Sequence, residues 1–530
     1  MKDKDLNALD LGSRTAKVAG ALFVGKLFSF VVLAITFIAV VRILAPANYG
    51  IYTLVVAFVG IFSSVGNFGV ATITNKLLAE NNKNKAGKII LNATVLILIL
   101  GTVTMAMAIA FGILGYKTLQ EEGISLWLLL GASSTIILSM LFGVLYSSLV
   151  GLNRGRALIY LLLIQGVAQA IVSIGLALLD FGALAPVIGN IAGFAIAIAY
   201  AAVYLFSNIE IGKSTTDAKM IKMIFKSAYP IGLSNIFSTI TSNLAIMLLA
   251  FFVPVTIIGN IGTATKMGAL VDIVAGSIGG ALLSMFSYTA STKSLRKKLN
   301  VIYNFSLNYG TLSILPLLMY IFIFAKPLSY IAFSSTYSKA PEYIMLISLG
   351  MMISLFGGYA SSVMVGAGKM RQVLKYNIAI AAVQLLAIPL FIPIFKGIGA
   401  IFVLYFLGPL AAGMLYVIGA RSQLHIKISF KKLARIVCAN ILTGIASLPL
   451  IFIIKYYPLL ITAAFAEWLL VYPIALALLN GIDKNDFDII GKVIDSTLKY
   501  GAIEKLYGFL VYYMSIFISF KEVVLKRLER

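Results

Sequence analysis

The chain has 530 residues, of which 61% are hydrophobic and 12% charged, and its 42 Lys and Arg against 19 Asp and Glu give a net charge of +23. Soluble domains carry about 25% charged residues, so this composition excludes a soluble globular protein. The apolar runs are too long, and alternate too little, for the strands of a membrane barrel. The sequence therefore predicts an all-α polytopic membrane protein.

About fourteen transmembrane helices are predicted from the apolar runs between clusters of charged or turn-forming residues. The one cysteine, Cys438, rules out an intrachain disulfide, and the one histidine, His425, rules out a metal site of clustered histidines. We expect no metal and no cofactor. The predicted spans are 16–41, 50–73, 88–115, 125–150, 157–179, 183–207, 224–252, 259–288, 300–325, 342–366, 372–394, 398–420, 434–454 and 459–480.

Lysine and arginine are distributed unevenly over the predicted loops. The N-terminus and the loops on its side of the membrane hold 26 of the 42, whereas the opposite loops hold six. Cytoplasmic loops carry an excess of these residues, so both termini are predicted to be cytoplasmic. The positive charge is then mostly a rim facing anionic headgroups, and we expect membrane lipids, and no nucleic acid, as its partners.

The first predicted outer hairpin reads RILAPANYGIY, from Arg42 to Tyr52. Pro46 cannot continue the helix, Gly50 relaxes the turn, and Tyr49 and Tyr52 suit the membrane interface. An arginine in such a place is typical of an interfacial anchor. Arg42 is therefore weighed both as an anchor and as a candidate substrate contact.

Four ionisable residues lie well inside predicted spans: Lys26 in the first, Lys266 and Asp272 in the eighth, and Glu467 in the last. Each costs roughly 2.5 to 3.5 kcal/mol near the bilayer centre unless it faces water, a partner or a ligand. This cost makes all four candidates for a functional site. The structural alternative is an internal ion pair of Lys26 or Lys266 with Asp272.

Two stretches of the chain resemble each other at an offset of 215 residues. SSLVGLNRGRALIY begins at Ser147, SSVMVGAGKMRQVLKY begins at Ser361, and the likeness continues without gaps. Further matches at offsets near 208 open the second helix of each half. The paired positions include Gly151 and Gly366, Arg154 and Lys369, Gln169 and Gln384, Pro46 and Pro254, and Gly50 and Gly259.

The repeat predicts two pseudo-symmetric six-helix lobes, residues 1–207 and 208–421, and two additional C-terminal transmembrane helices within 422–480. An even number of spans in each half makes the repeats parallel, and such transporters usually bind their substrate between the halves. Residues 481–530 alternate charged and apolar residues at helical spacing. They are predicted to form a cytoplasmic amphipathic tail on the membrane surface.

The stretch from Arg42 to Glu80 begins RILAPANYGIYTLVVAFVGIFSSVGNFG. It resembles the arginine-leucine-glycine-proline-x-x-tyrosine-glycine signature of polysaccharide, or O-antigen, flippases. These proteins belong to the multidrug/oligosaccharidyl-lipid/polysaccharide (MOP) exporter superfamily, whose fourteen-helix layout matches residues 12–480. The resemblance implies a transporter of the cell (plasma) membrane, not an enzyme, that acts as a monomer.

Flippases of this family move a polyprenyl- or dolichyl-diphosphate-linked oligosaccharide from the cytoplasmic to the outer leaflet by alternating access between two lobes. The resemblance implies that Lys26 and Lys266 bind the diphosphate, because family members line their cavity with basic residues on these helices. Asn75 and Lys76, at the cytoplasmic end of the second span, are further candidates for the incoming headgroup. Glycan-assembly enzymes are the protein partners that the resemblance suggests.

Asp272 is the candidate for coupling or gating. The seventh span of this family often carries an acid about fourteen residues after a proline, and here Asn243 stands near that place after Pro230. Asn243 is kept with Asp272 as a coupling or gating candidate, although it lacks the acid that would bind an ion there.

Two other functions stay open. A cation-coupled multidrug antiporter of the same superfamily would use acids inside the first lobe, where the spans hold none except Asp180 at a margin. A membrane glycan polymerase or ligase would use carboxylates on outer loops, whereas the longest predicted outer loop, Lys326 to Pro341, holds none. The flippase is therefore the first hypothesis, the antiporter the second, and the polymerase or ligase the least favoured.

Overall fold

The computed structural model describes the backbone of residues 2–80, 85–115, 123–209, 215–269, 271, 295–426 and 430–482. Within these ranges side chains are described from residue 31 onward, apart from a few positions inside helices. The regular elements there are helices, so the predicted all-α class is confirmed. They are α1 Lys2–Asn67, α2 Val70–Glu80, α3 Ala86–Leu114, α4 Leu126–Gly151, α5 Gly155–Leu178, α6 Leu184–Asn208, α7 Ala218–Leu249, α8 255–269, α9 Leu295–Ile323, α10 Ala325–Phe333, α11 Ala340–Gly366, α12 Met370–Ile401, α13 Gly408–Leu424, α14 Phe430–Ile453 and α15 Tyr457–Leu478.

Helix bounds follow the local sequence. Ser125 starts α4 by accepting a hydrogen bond from the amide of Leu128 at 3.2 Å. Asp217 starts α7 by accepting one from the amide of Lys219 at 2.9 Å. Short polar side chains fill this role because the first amides of a helix have no partner within it. The four helices α3 to α6 lie within about two residues of the predicted spans 88–115, 125–150, 157–179 and 183–207, whereas α1 begins at Lys2 and continues through the predicted loop after residue 41.

Nine helical stretches of the described residues are long and apolar enough to cross a membrane, or ten if the bent pair Ala340–Leu355 and Gly357–Val365 is one span. Two of the nine contain breaks: Val31–Asn67 at Ala45 and Met370–Leu424 at Lys396. Each break lies between two predicted spans. The protein is therefore a multi-pass membrane protein, while the number of fourteen spans stays a prediction.

Two local features were not predicted. The second span is interrupted at Phe68 and Gly69, with φ angles of 40° and 79°, and α2 continues from there to Glu80. The predicted loop after Lys326 contains the short helix α10. A single glycine does not distinguish a break from an intact span, and nine residues are too few for a clear helical period.

The turn between α4 and α5 and the turn between α11 and α12 have the same backbone geometry at the 215-residue offset of the sequence repeat. Asn153 and Gly368 occupy the matching position with φ angles of 55° and 76°. Glycine and asparagine adopt this left-handed conformation more readily than other residues. The amides of Leu152, Asn153 and Arg154 donate to the carbonyls of Ser148, Val150 and Leu149, and those of Ala367, Gly368 and Lys369 donate to Val363, Val365 and Met364.

The chain divides into two compact units. The first holds Met1–Thr263, Thr336–Lys339 and Leu374–Leu404. The second holds Ala264–Ser335, Ala340–Val373 and the chain from Tyr405 onward. Aliphatic side chains of α2 to α6 form a buried core in the first unit. In the second unit α14 packs on α9 and on α15.

The lobes 1–207 and 208–421 stay a prediction, as do the two additional helices of 422–480. From residue 483 onward the predicted amphipathic tail lies outside the described residues.

Candidate functional site

The first candidate region is the hairpin end, defined as residues 41–53, 190, 253–262 and 336–339. Ala45 breaks α1 with φ 57° and ψ 168°, directly before Pro46. A broken helix leaves its last carbonyls without helical amides. The buried Tyr337 donates its hydroxyl to one of these carbonyls, that of Val41, at 2.8 Å. The predicted turn is thus held by a residue 296 positions away in the sequence.

Two glycines bring backbones together at the hairpin end with no side chain between them. A Cβ atom on Gly50 would collide with the carbonyl oxygen of Val255. A Cβ atom on Gly259 would collide with the carbonyl oxygen of Pro46. Small residues allow membrane helices such close approach. Gly50 and Gly259 are matching positions of the sequence repeat, so the contact uses the same feature from both halves.

Polar side chains complete the hairpin end. Asn260, only 5% exposed, donates to the carbonyl of Thr256 at 2.7 Å and accepts a hydrogen bond from the amide of Lys339 at 3.1 Å. Asn190 donates to the hydroxyl of Tyr52 at 3.2 Å. The bond between Asn260 and Lys339 and the bond between Asn190 and Tyr52 join segments that are distant in the sequence. The hairpin end is therefore held by specific hydrogen bonds as well as by close packing.

Tyr49 and Arg42 differ in their surroundings. Tyr49 is 2% exposed and packs between Phe37 and Tyr52, with ring centroids 6.1 and 5.6 Å away. The ring of Tyr49 therefore packs inside the protein, and its predicted level at the membrane interface stays a prediction. Arg42 has an exposed side chain next to the Val41 carbonyl that Tyr337 binds.

Lys266 lies on α8, four residues after Gly262. Its side chain is exposed. Two residues later, a Cβ atom on Gly268 would lie 3.0 Å from Ile347 of α11, so α8 packs closely there. Among the described residues, no carboxylate forms an ion pair with Lys266.

Asn243 lies on α7 and packs against α1. Its Nδ2 donates to the carbonyl of Thr239 at 2.9 Å. A Cβ atom on Gly60 would lie 2.7 Å from that same nitrogen. The amide thus fills a contact between two helices. Directly after the end of α1, Phe68 stacks on Phe225 of α7, with centroids 5.1 Å apart and planes 4° apart.

Asn75 and Lys76 lie on α2, in a helix rather than in a loop. Asn75 is half-buried, and its backbone approaches Gly151, where a Cβ atom would lie 2.7 Å from the Asn75 carbonyl oxygen. Lys76 is exposed and 3.8 Å from Glu80. Exposed pairs of this kind contribute about 0–1 kcal/mol, so the pair leaves Lys76 largely free to exchange partners.

The remaining candidates lie beyond the described side chains. Lys26 is within α1, but its side chain is outside the described residues. Asp272 is outside them altogether. The predicted role of Lys26 in substrate binding and that of Asp272 in coupling therefore stay predictions, as does an ion pair of either lysine with Asp272.

One polar cluster joins α3 to the start of α7. Lys88 lies 2.8 Å from Asp217, and the backbone amide of Asp217 donates to Asn92 at 2.7 Å. The hydrogen bond from Lys88 and the one from the Lys219 amide hold the pKa of Asp217 below its usual value of 3.8. The cluster fixes the beginning of α7 relative to α3.

Sequence reasoning missed the residues that hold the hairpin end. Tyr337, Asn190 and Asn260 were not among the candidates. The only signal for them was their position: Asn260 directly follows Gly259 of the repeat, and Asn190 lies within a predicted span as a neutral polar residue. Neither signal identifies the partner.

Residues 16–290 match the model of the polysaccharide biosynthesis protein family. No curated protein sequence gives a significant match. Among solved structures, the chain is similar to one titled lipid II flippase MurJ, inward closed conformation. The TM-score is 0.71 at 14% identity, over 86% of this chain and 98% of that one.

Two multidrug transporters have the same fold. One is described as the inward-facing conformation of a multidrug resistance MATE family transporter of the MOP superfamily, with a TM-score of 0.60 at 14% identity over 74% of this chain and 94% of that one. The other is the MATE multidrug transporter DinF-BH, with a TM-score of 0.56 at 15% identity over 78% and 96%. At these identities the matches establish the fold.

Proposed function

Because the chain belongs to the polysaccharide biosynthesis protein family and has the fold of MOP-superfamily transporters, we propose that it is a flippase for a polyprenyl- or dolichyl-diphosphate-linked oligosaccharide. It moves this lipid from the cytoplasmic to the outer leaflet by alternating access between two lobes. The observation that carries the proposal is the family match over residues 16–290. The similarity to a lipid II flippase supports a lipid-linked substrate.

Lys266 is the best supported headgroup contact among the described candidates. A diphosphate carries negative charge that a membrane protein must neutralise, and an ammonium group is a compact partner for phosphate. Lys266 is exposed and has no acidic partner among the described residues. Lys26 and Arg42 supply further positive charge, and Asn75 and Lys76 receive the headgroup at the other end of the second span.

The hairpin end is the gate of this transport cycle. This proposal is supported by the glycine contacts, which bring the backbones of Gly50 and Val255 together, and by the buried hydrogen bonds that hold them. Opening separates these backbones, and Asn243 and Asp272 are the candidates that link this opening to substrate or ion binding. Both termini lie in the cytoplasm, so the hairpin end faces the outer side of the plasma membrane.

The test is transbilayer movement of a fluorescent polyprenyl-diphosphate oligosaccharide in proteoliposomes containing the purified chain. The oligosaccharide lipid is expected to cross the bilayer much faster than in protein-free liposomes. The same polyprenyl lipid with an uncharged headgroup in place of the diphosphate oligosaccharide is expected not to be moved. A chain that moves neither lipid while remaining folded contradicts the flippase.

The second candidate is a cation-coupled multidrug antiporter, which the similarity to MATE transporters favours. Spans one to six lack the acids that such a site requires, except Asp180, which is exposed at the turn after α5. The same proteoliposomes discriminate the two functions. An antiporter takes up a cationic dye against an imposed ion gradient and leaves the oligosaccharide lipid where it is.

A further inference from the structure

The two C-terminal helices α14 and α15 contain a line of buried polar side chains. Asn440, Thr443 and Ser447 recur at intervals of three and four residues, which places them on one face of α14. All three are at most 1% exposed. On the facing helix α15 stand Tyr472 and Glu467. Polar groups inside a membrane helix are expensive unless they bind each other or a ligand.

The hydroxyl groups of this line have backbone carbonyls within hydrogen-bond distance. Thr443 donates to the carbonyl of Ala439 at 2.9 Å, and Tyr472 donates to that of Leu312 at 3.1 Å. Ser447 lies 3.0 Å from the carbonyl oxygen of Thr443. A serine hydroxyl has one proton to give. When that proton goes to Thr443, Ser447 can bind a further neighbour only as an acceptor.

Glu467 is that further neighbour. Its Oε2 lies 2.5 Å from the Ser447 hydroxyl oxygen, while its Oε1 is buried and has no hydrogen-bond partner. A hydrogen bond joins these two oxygens, and Ser447 has one proton for two acceptors, the Thr443 carbonyl and the Glu467 carboxyl group. If the Ser447 proton is directed to Thr443, the proton between Ser447 and Glu467 comes from the carboxyl group.

The alternative arrangement is an ionised Glu467 that receives the proton of Ser447. The carboxylate would then have one donor for two charged oxygens. Glu467 is the eleventh of the 22 residues of α15, about 15 Å from either end at 1.5 Å per residue. An ionised carboxyl at that depth without a cation costs several kcal/mol, so the protonated form is favoured.

No other described titratable group near Glu467 supplies a compensating charge. Helix α15 packs on α14 and α10, and contacts α9 through Tyr320, whose ring lies 6.1 Å from that of Trp468. Tyr320 donates its hydroxyl to the carbonyl of Ile461 at 2.8 Å. Among the described residues none forms an ion pair with Glu467. The described charged or titratable side chains on the packed helices are Lys431, Lys432, Arg435 and Cys438 on α14, Tyr457 and Tyr472 on α15, Lys326 and Tyr330 on α10, and Tyr303, Tyr309 and Tyr320 on α9.

We infer that Glu467 is a proton-binding site in the middle of the membrane: its carboxyl group is protonated at neutral pH and donates a hydrogen bond to Ser447. The ligand is a proton, bound on Oε2. The site lies in the additional helix pair, outside the predicted repeat, and does not depend on which substrate the chain moves. It is a point at which a pH difference across the membrane acts on the protein.

Infrared spectroscopy of the full chain in lipid tests the site. The wild type is expected to show the carbonyl stretch of a protonated carboxyl group at neutral pH. Glu467→Gln should remove that band, and Ser447→Ala should shift it, because the hydrogen bond is lost. Glu80→Gln is the matched control, since Glu80 is exposed beside Lys76, and should leave the band unchanged. A folded Glu467→Gln protein whose spectrum keeps the whole band would overturn the inference.

Thermal unfolding as a function of pH gives a second measurement. Glutamine mimics the protonated carboxyl, so Glu467→Gln should be as stable as the wild type at neutral pH. A group that binds its proton more tightly when folded contributes stability that is lost as the pH rises. The wild type should therefore lose stability relative to Glu467→Gln at alkaline pH. Equal pH dependence of the two proteins, or a large loss of stability in Glu467→Gln at neutral pH, contradicts the site.

Discussion

The two ends of α8 differ in the charge and size of their residues. Its first part, with Gly259 and Asn260, packs so closely that backbones meet and a buried amide is hydrogen-bonded on both sides. Its later part carries the exposed side chain of Lys266, which forms no ion pair with a described carboxylate. Small neutral residues suit the proposed gate, because a charged side chain there would have to be desolvated each time the gate closed. A site that binds an anionic headgroup, in contrast, needs a positive charge.

The largest expected effect comes from breaking the close packing at the hairpin end. In Gly50→Ala the new methyl group overlaps the carbonyl oxygen of Val255. Overpacking costs about 1–3 kcal/mol, so we expect the oligosaccharide-lipid transport rate in proteoliposomes to fall about tenfold or more. Gly175→Ala is the control, because a Cβ atom there meets nothing within 4 Å. If Gly50→Ala transports the lipid at the wild-type rate, the close packing at the hairpin end is not needed for transport, and the proposed gate is contradicted.

A smaller effect is expected from the hydrogen bonds of the same region. Tyr337→Phe removes the hydroxyl that binds the Val41 carbonyl at 2.8 Å and leaves that carbonyl buried. The loss should lower the free energy of unfolding by about 1 kcal/mol. Thermal unfolding in detergent measures it against Tyr456→Phe, whose ring is 68% exposed. If both variants unfold alike, the bond does not hold the hairpin end.

The smallest effect lies away from both regions, at the start of α7. Lys88 holds the pKa of Asp217 below its usual value of 3.8. A lowered folded-state pKa contributes stability above the unfolded-state pKa, which is lost as the pH falls through the folded value. The melting temperature of the wild type should therefore drop toward that of Asp217→Asn in acid, with a small difference at neutral pH. Lys88→Met, which removes the hydrogen bond to Asp217, should weaken the pH dependence in the same way. A wild-type pH profile in Lys88→Met would show that the ion pair is not the cause.

The sequence predicts elements that depend on local patterns. The helices α3 to α6 lie where the apolar runs predicted them, and the break at Ala45 lies where Pro46 required one. The 215-residue repeat reappears as matching hydrogen bonds around Asn153 and Gly368. These features follow from periodicity, from the missing amide of proline and from left-handed backbone angles, all of which act within a few residues.

Contacts between distant segments were not predictable in this way. Nothing near Tyr337 indicates that it binds Val41, and nothing near Gly50 indicates that a carbonyl fills the space above it. The cost of a buried charge identified Lys266 and Glu467 as unusual residues. It did not distinguish the role proposed for Lys266, binding an anionic headgroup, from that proposed for Glu467, binding a proton beside Ser447. That difference depends on which side chains of neighbouring helices lie next to each residue.

The most direct test of the flippase is the charge of Lys266. Transbilayer movement of the labelled polyprenyl-diphosphate oligosaccharide should be measured for the wild type, Lys266→Ala, Lys266→Arg and Lys222→Ala, where Lys222 is an exposed lysine of α7. A lost charge-assisted contact is worth about 1.5–3 kcal/mol, so Lys266→Ala should be slower by about tenfold or more. Lys266→Arg should retain most of the rate and Lys222→Ala all of it. Wild-type rates in a folded Lys266→Ala protein would contradict a headgroup site at this lysine.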